Sequence, residues 1–87
     1  MYYIAVYDFD EKRVGKALKL FRRYLNWVQN SVFEGELTDS QFAELKKYTQ
    51  NLVDPENDSV IFYSLSDKKW LNREITGREK NPTDNFV

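Results

Sequence analysis

The chain has 87 residues, 41% of them hydrophobic and 16% aromatic, with 13 basic residues against 14 acidic ones and a net charge of −1. That size reads as a single small domain with a limited core, and that composition as a folded globule rather than a disordered segment. There is no Cys and no His, which excludes disulfides, zinc thiolate sites, Cys nucleophiles and a Ser-His-Asp triad and leaves oxygen-bound ions such as Mg²⁺, Mn²⁺ or Ca²⁺ as the metals it can hold.

No apolar run approaches the length of a membrane span and the N-terminus lacks a signal-peptide pattern, so the expected compartment is the cytoplasm and no membrane partner is expected. Residues 2–7 (YYIAVY) read as a strand, being short, β-branched and aromatic, and almost continuously apolar. The run stops at Asp8-Phe9-Asp10. Val14, Ala17, Leu18, Phe21 and Leu25 then fall at i, i+3, i+4, i+7 and i+11, steps of three and four that mark an amphipathic helix. Lys12, Lys16, Lys19 and Arg23 repeat that spacing on another face. With Arg13 and Arg22 they make six of the 13 basic residues, opposed in their segment only by Glu11. Such a strip is an electropositive surface of the kind phosphates use.

Residues 27–37 (WVQNSVFEGEL) predict a short hairpin turning at Asn30-Ser31, with Gly35 marking a bulge or a close backbone approach. Thr38 and Gln41 have the spacing of a capping box. Phe42, Leu45, Tyr48 or Thr49, Leu52 and Val53 continue as a second helix, and Asp54-Pro55 ends it. Residues 58–65 (DSVIFYSL) predict another strand, residues 67–69 a polar turn and residues 70–75 a last strand. The order predicts an α+β fold: a ferredoxin-like βαββαβ unit with an extra C-terminal strand, its antiparallel sheet carrying two helices on one face. Residues 1–87 are expected to form one domain, with 78–87 a tail packing on a partner protomer. The uncovered face of so apolar a sheet predicts a homodimer packed sheet against sheet, with residues 70–75 adding to the partner's sheet.

Four pieces in this order, VYDFD at the end of the first strand, the basic helix KRVGKALKLFRRYL, the hairpin VQNSVFEGEL and the strand DSVIFY, resemble the small CRISPR-associated endonuclease family. This is the lesser of the two universal proteins of spacer acquisition. The resemblance runs from Tyr2 to about Leu65, with QNSVFEGEL its most specific piece. It implies a ferredoxin-like homodimer in which Asp8 is the Mg²⁺ ligand and catalytic carboxylate, one from each copy facing across the dimer axis. It also implies a larger integrase subunit as partner. Members are described as metal-dependent nucleases on single-stranded RNA or duplex DNA, and also as non-catalytic bridges joining integrase dimers on the new spacer. Outside the resemblance, the alternative is a toxin-like ribonuclease or RNA-binding module on the same fold.

Each candidate residue has a plain reading beside the functional one. Asp8 is either a turn residue accepting backbone hydrogen bonds or a ligand for Mg²⁺ or Mn²⁺, which need few carboxylates; one acid per chain predicts weak binding and slow chemistry. Asp10 is assigned to capping the first helix. Arg13 is expected to meet a phosphate near the metal, and Lys16, Lys19 and Arg23 to track a nucleic-acid backbone without reading bases; the plain reading is a solvated helix face. Ser31 is either a phosphate contact or a turn hydroxyl. Phe33 is expected in the core, and Tyr7 in the core or a dimer interface. The family often places a further base after Arg13, where Val14-Gly15 stands here, a departure that favours a bridge over an efficient nuclease.

Overall fold

A computed structural model of the chain describes residues 1–77. The elements follow in the order β1 (Tyr2–Asp8), α1 (Glu11–Arg22), β2 (Asn26–Gln29), β3 (Val32–Glu36), α2 (Asp39–Leu52) and β4 (Ser59–Leu65). The four strands form one antiparallel sheet in the order β2-β3-β1-β4, the arrangement of the expected ferredoxin-like unit.

The two helices start where the sequence places their caps. The Asp10 side chain accepts a hydrogen bond from the Lys12 N–H at 3.0 Å. At α2 the capping box is reciprocal: Thr38 Oγ1 accepts from the Gln41 N–H at 3.1 Å and Gln41 Oε1 from the Thr38 N–H at 2.9 Å. Two orphan amides at the helix start are thereby satisfied.

Alternation along β1 separates the two faces of the sheet. Tyr3, Ala5 and Tyr7 are buried toward the helices, where Phe21 and Phe33 are fully enclosed and Leu45 closes the core. The Tyr3 ring stacks on Phe42 with centroids 4.1 Å apart, and Tyr7 lies 5.4 Å from Phe21. Both Phe33 and Tyr7 are therefore core residues. Gly35 marks a close approach rather than a bulge, since a Cβ there would stand 3.2 Å from Leu25 Cδ2. The bulge lies across the ladder, between Trp27 and Gln29, and Asn30 turns the hairpin with φ 44°.

Two expectations change. Residues 70–75 form no strand with this sheet: Trp70 completes a one-turn 3-10 helix, Lys68–Trp70, which Asp67 caps by accepting from the Lys69 N–H at 2.9 Å. Beyond it Arg73 is drawn to Glu34 on β3 instead of extending a strand edge. The face away from the helices is in consequence partly covered. Tyr2 and Glu34 are buried there, while Ile61 and Tyr63 on β4 are half exposed. The expected packing of residues 78–87 on a partner lies outside the described residues.

Candidate functional site

The end of the sheet that carries Asp8 is an assembly point. Asp8 is the last residue of β1 and pairs in register with Ser59, the first residue of β4. One strand over, the Tyr7 N–H donates to the Ser31 carbonyl at 3.1 Å, which sets the hairpin turn beside the same strand end. Helix α1 starts three residues after Asp8. The fold thus brings Asp8, Ser31 and the first turn of α1 to one end, with the Asp8 side chain exposed.

Beside it stands a residue that the sequence reading passed over. Asp58, just before β4, has a side chain closed to solvent and receives four hydrogen bonds. The Asp10 N–H reaches Oδ1 at 2.7 Å and the Asp54 N–H reaches Oδ2 at 2.9 Å. Arg13 adds a two-pronged pair, Nε to Oδ2 at 2.5 Å and Nη2 to Oδ1 at 3.2 Å. The Arg13 bond, aided by the two amides and opposed by burial, holds the Asp58 carboxyl down at about 2. Asp54 is also held below the usual carboxylate range, chiefly by Asn57 and the Glu56 amide, with a looser contact to Arg13 at 3.6 Å.

Arg13 therefore spends its guanidinium on Asp58 and is set apart from the rest of the stripe. The signal was present in the sequence: Arg13 lies one turn before Ala17, on the apolar side of α1, and not on the line of Lys12, Lys16, Lys19 and Arg23. Lys16 and Lys19 are exposed. Arg23 stands at the far end of α1, about 10 Å along the axis from Lys16, with its guanidinium carbon 5.7 Å from the Tyr24 ring centre and 5.9 Å from that of Tyr48. Those contacts hold the charge by cation–π attraction at the helix surface.

A second buried carboxylate, Glu34, lies on the other face. Its Oε2 accepts from the Tyr2 hydroxyl at 2.8 Å and its Oε1 pairs with Arg73. Burial, reinforced by the Glu34 bond, pushes the Tyr2 hydroxyl well above its ordinary pKa. Both oxygens of Glu34 are occupied.

As a metal site, Asp8 offers one exposed hard oxygen donor per chain, and no group of three acidic side chains converges among the described residues. A lone carboxylate fits Mg²⁺ or Mn²⁺, which keep several waters, and a two-fold axis would supply a second.

A family described as CRISPR associated protein Cas2 matches residues 1–73. The chain belongs to that family. A relative from Thermotoga maritima, named CRISPR-associated endoribonuclease Cas2, is 49% identical over 87 residues, which cover all of this chain and 99% of the relative. A relative of the same name from Dictyoglomus turgidum is 44% identical over the whole of both chains. A solved Cas2 crystal structure superposes with a TM-score of 0.89 at 43% identity, covering 97% of this chain and 94% of its own. Streptococcus pyogenes Cas2 at pH 6.5 superposes at 0.78 with 31% identity, covering 88% of this chain and all of its own. No helix among the described residues is long and apolar enough to cross a membrane.

Proposed function

We propose that the protein works as a homodimer in CRISPR spacer acquisition, binding duplex DNA beside a larger integrase subunit and hydrolysing phosphodiesters of single-stranded RNA or duplex DNA slowly at the paired Asp8 carboxylates. The observation that carries this reading is the exposed Asp8 at the end of β1, on the sheet face away from the helices and three residues before α1, whose solvent side presents Lys16 and Lys19. The relatives named endoribonuclease support the hydrolytic part. Asp8 would hold Mg²⁺, or Mn²⁺ in its place. Such an ion, when bound, activates water and offsets transition-state charge. The chain's own residues do the rest. Lys16, Lys19 and Arg23 attract and align the phosphate backbone, Ser31 offers a hydroxyl at the same sheet end, and Arg13 contributes through its grip on Asp58.

One observation favours the second reading, a non-catalytic DNA bridge. Arg13, five residues after Asp8, is already paired with Asp58, so the lone Asp8 carboxylate has no help from that guanidinium. A single variant distinguishes the two. Asp8→Asn keeps the shape and removes the charge, so Mg²⁺-dependent cleavage of RNA and duplex DNA should disappear, as it should with chelator, while dimerisation and DNA binding persist. Spacer integration by the variant, assayed with the larger subunit, should also persist if the bridge is the main role. Cleavage at the wild-type rate would return Asp8 to a turn residue.

A further inference from the structure

We infer that Asp58 is the positioning residue for Asp8, fixing the direction in which β1 presents that carboxylate; this rests on the reading of Asp8 as the functional acid. A strand end frays unless something continues its ladder. Here the last rung of β1 and β4 is Asp8 opposite Ser59, and the next tie is made by a side chain: Asp58 Oδ1 accepts from the Asp10 N–H at 2.7 Å. The chain is therefore held at Asp8 by a ladder rung to Ser59 and again two residues on, at Asp10, by the Asp58 carboxylate. Between them the Phe9 ring is buried, 5.8 Å from Tyr7 and 6.4 Å from Phe21. The backbone on both sides of Asp8 is fixed, and only its side chain remains in water.

The bond to Asp10 is not needed to cap α1. Asp10 does that itself through the Lys12 N–H, so the Asp58 bond acts on the turn that follows Asp8. Arg13 completes the device. Its fork holds the Asp58 carboxylate in one orientation and neutralises it, so that the buried acid tying down the Asp10 amide carries no unpaired negative charge. Partners bonded directly to a metal ligand commonly change affinity by ten- to a hundredfold; Asp58 acts one step further out, through the Asp10 amide, so the low end of that range is expected.

The test uses full-length protein and Mn²⁺ as probe, with binding followed by electron paramagnetic resonance and the Asp10 amide followed by hydrogen exchange. Asp58→Asn should weaken Mn²⁺ binding about tenfold and speed exchange of the Asp10 amide. A stability-matched core variant, Leu45→Val, should leave both unchanged at a temperature well below either unfolding midpoint. If Asp58→Asn fails to fold, Arg13→Lys takes its place. It keeps the charge but loses the fork, and should show the same two effects more weakly. Asp8→Asn separates the two levels of the claim. If it leaves Mn²⁺ binding unchanged, the reading of Asp8 fails and takes this inference with it. If it abolishes binding while Asp58→Asn or Arg13→Lys stays within twofold of wild type, the reading of Asp8 stands and the positioning role is overturned.

Discussion

The two faces of the sheet are built on opposite principles. Toward the helices, Tyr3, Tyr7, Phe33 and Phe62 meet Phe21 and Phe42 in a continuous aromatic packing, and that face is finished within the chain. The other face is mixed. It buries an acid, Glu34, under Tyr2 and Arg73, exposes Ile61 and Tyr63, and ends in the exposed Asp8. Since side chains alternate along each strand, both faces come from the same strands, each taking every second residue. The difference shows where the chain completes itself and where it leaves surface for something else.

The helix face should give the largest response to damage. Phe21 is wholly enclosed and touches Tyr7, Phe9, Phe33 and Phe62. Phe21→Ala removes those contacts and leaves a cavity, so it should cost about 3–5 kcal/mol, measured by urea unfolding. A loss below about 1 kcal/mol would mean that the face repacks freely, and the contrast between the faces would weaken.

The covered part of the other face should respond next. Arg73→Ala leaves Glu34 buried with an unpaired oxygen and frees the segment after the 3-10 turn. Removing one partner of a buried pair is costly, but the Arg73 side chain is 20% exposed, so a loss of about 2–3 kcal/mol is expected. Glu34→Gln with Arg73→Met, which removes both charges, should recover much of it. If the single variant is neutral, Arg73 does not hold its segment to the face.

Acid should act mainly on the other ion pair. The folded-state pKa of Asp58 is depressed to about 2, below the ordinary value of about 3.9. Its contribution is therefore complete above pH ~4 and is lost as pH falls toward ~2. Thermal unfolding of wild type should show a declining limb across that window. Asp58→Asn should be less stable at neutral pH and flatter below pH ~4. Parallel limbs in the two proteins would assign the acid sensitivity to other carboxylates.

How much of this was legible in the sequence follows from how local each feature is. The periodic helices, the capping box at Thr38 and Gln41, the Asn30-Ser31 turn and the strand after Asp58 are local and were readable. Gly35 left a bulge and a close approach equally open, and only the position of Leu25 decided between them. Residues 70–75 have strand-like composition, yet within the single chain they join no ladder of the sheet and are held through Asp67 and Glu34. Glu34 sits at an alternating position where an acid ordinarily faces water, and its burial depends on a residue far along the chain. Asp58 looks like one more acid in a polar turn until folding brings Arg13 to it. Asp8 stands out locally because it ends an apolar run, and its reading as a ligand rests on the family resemblance, whereas the contact on the Asp10 amide just beyond it comes from Asp58 at the start of β4.

The smallest effect on the single chain should come from the exposed part of the second face, and it sharpens the comparison most. Ile61 and Tyr63 are 50% and 55% exposed, so Ile61→Ser with Tyr63→Ser removes little packing and should shift the stability of the isolated chain by no more than about 0.5 kcal/mol per site. If this surface is the dimer contact, the same pair should nevertheless abolish self-association, because a partner would bury both side chains. Mass action makes the two effects separable. A dimer that unfolds to monomers is stabilised by higher protein concentration, so the wild-type midpoint should rise between low- and high-micromolar protein while that of the double variant stays fixed. Light scattering should give twice the 10.4 kDa chain mass for wild type and the single mass for the variant. A wild-type protein whose mass and midpoint ignore concentration would show that the second face, like the first, is complete without a second copy.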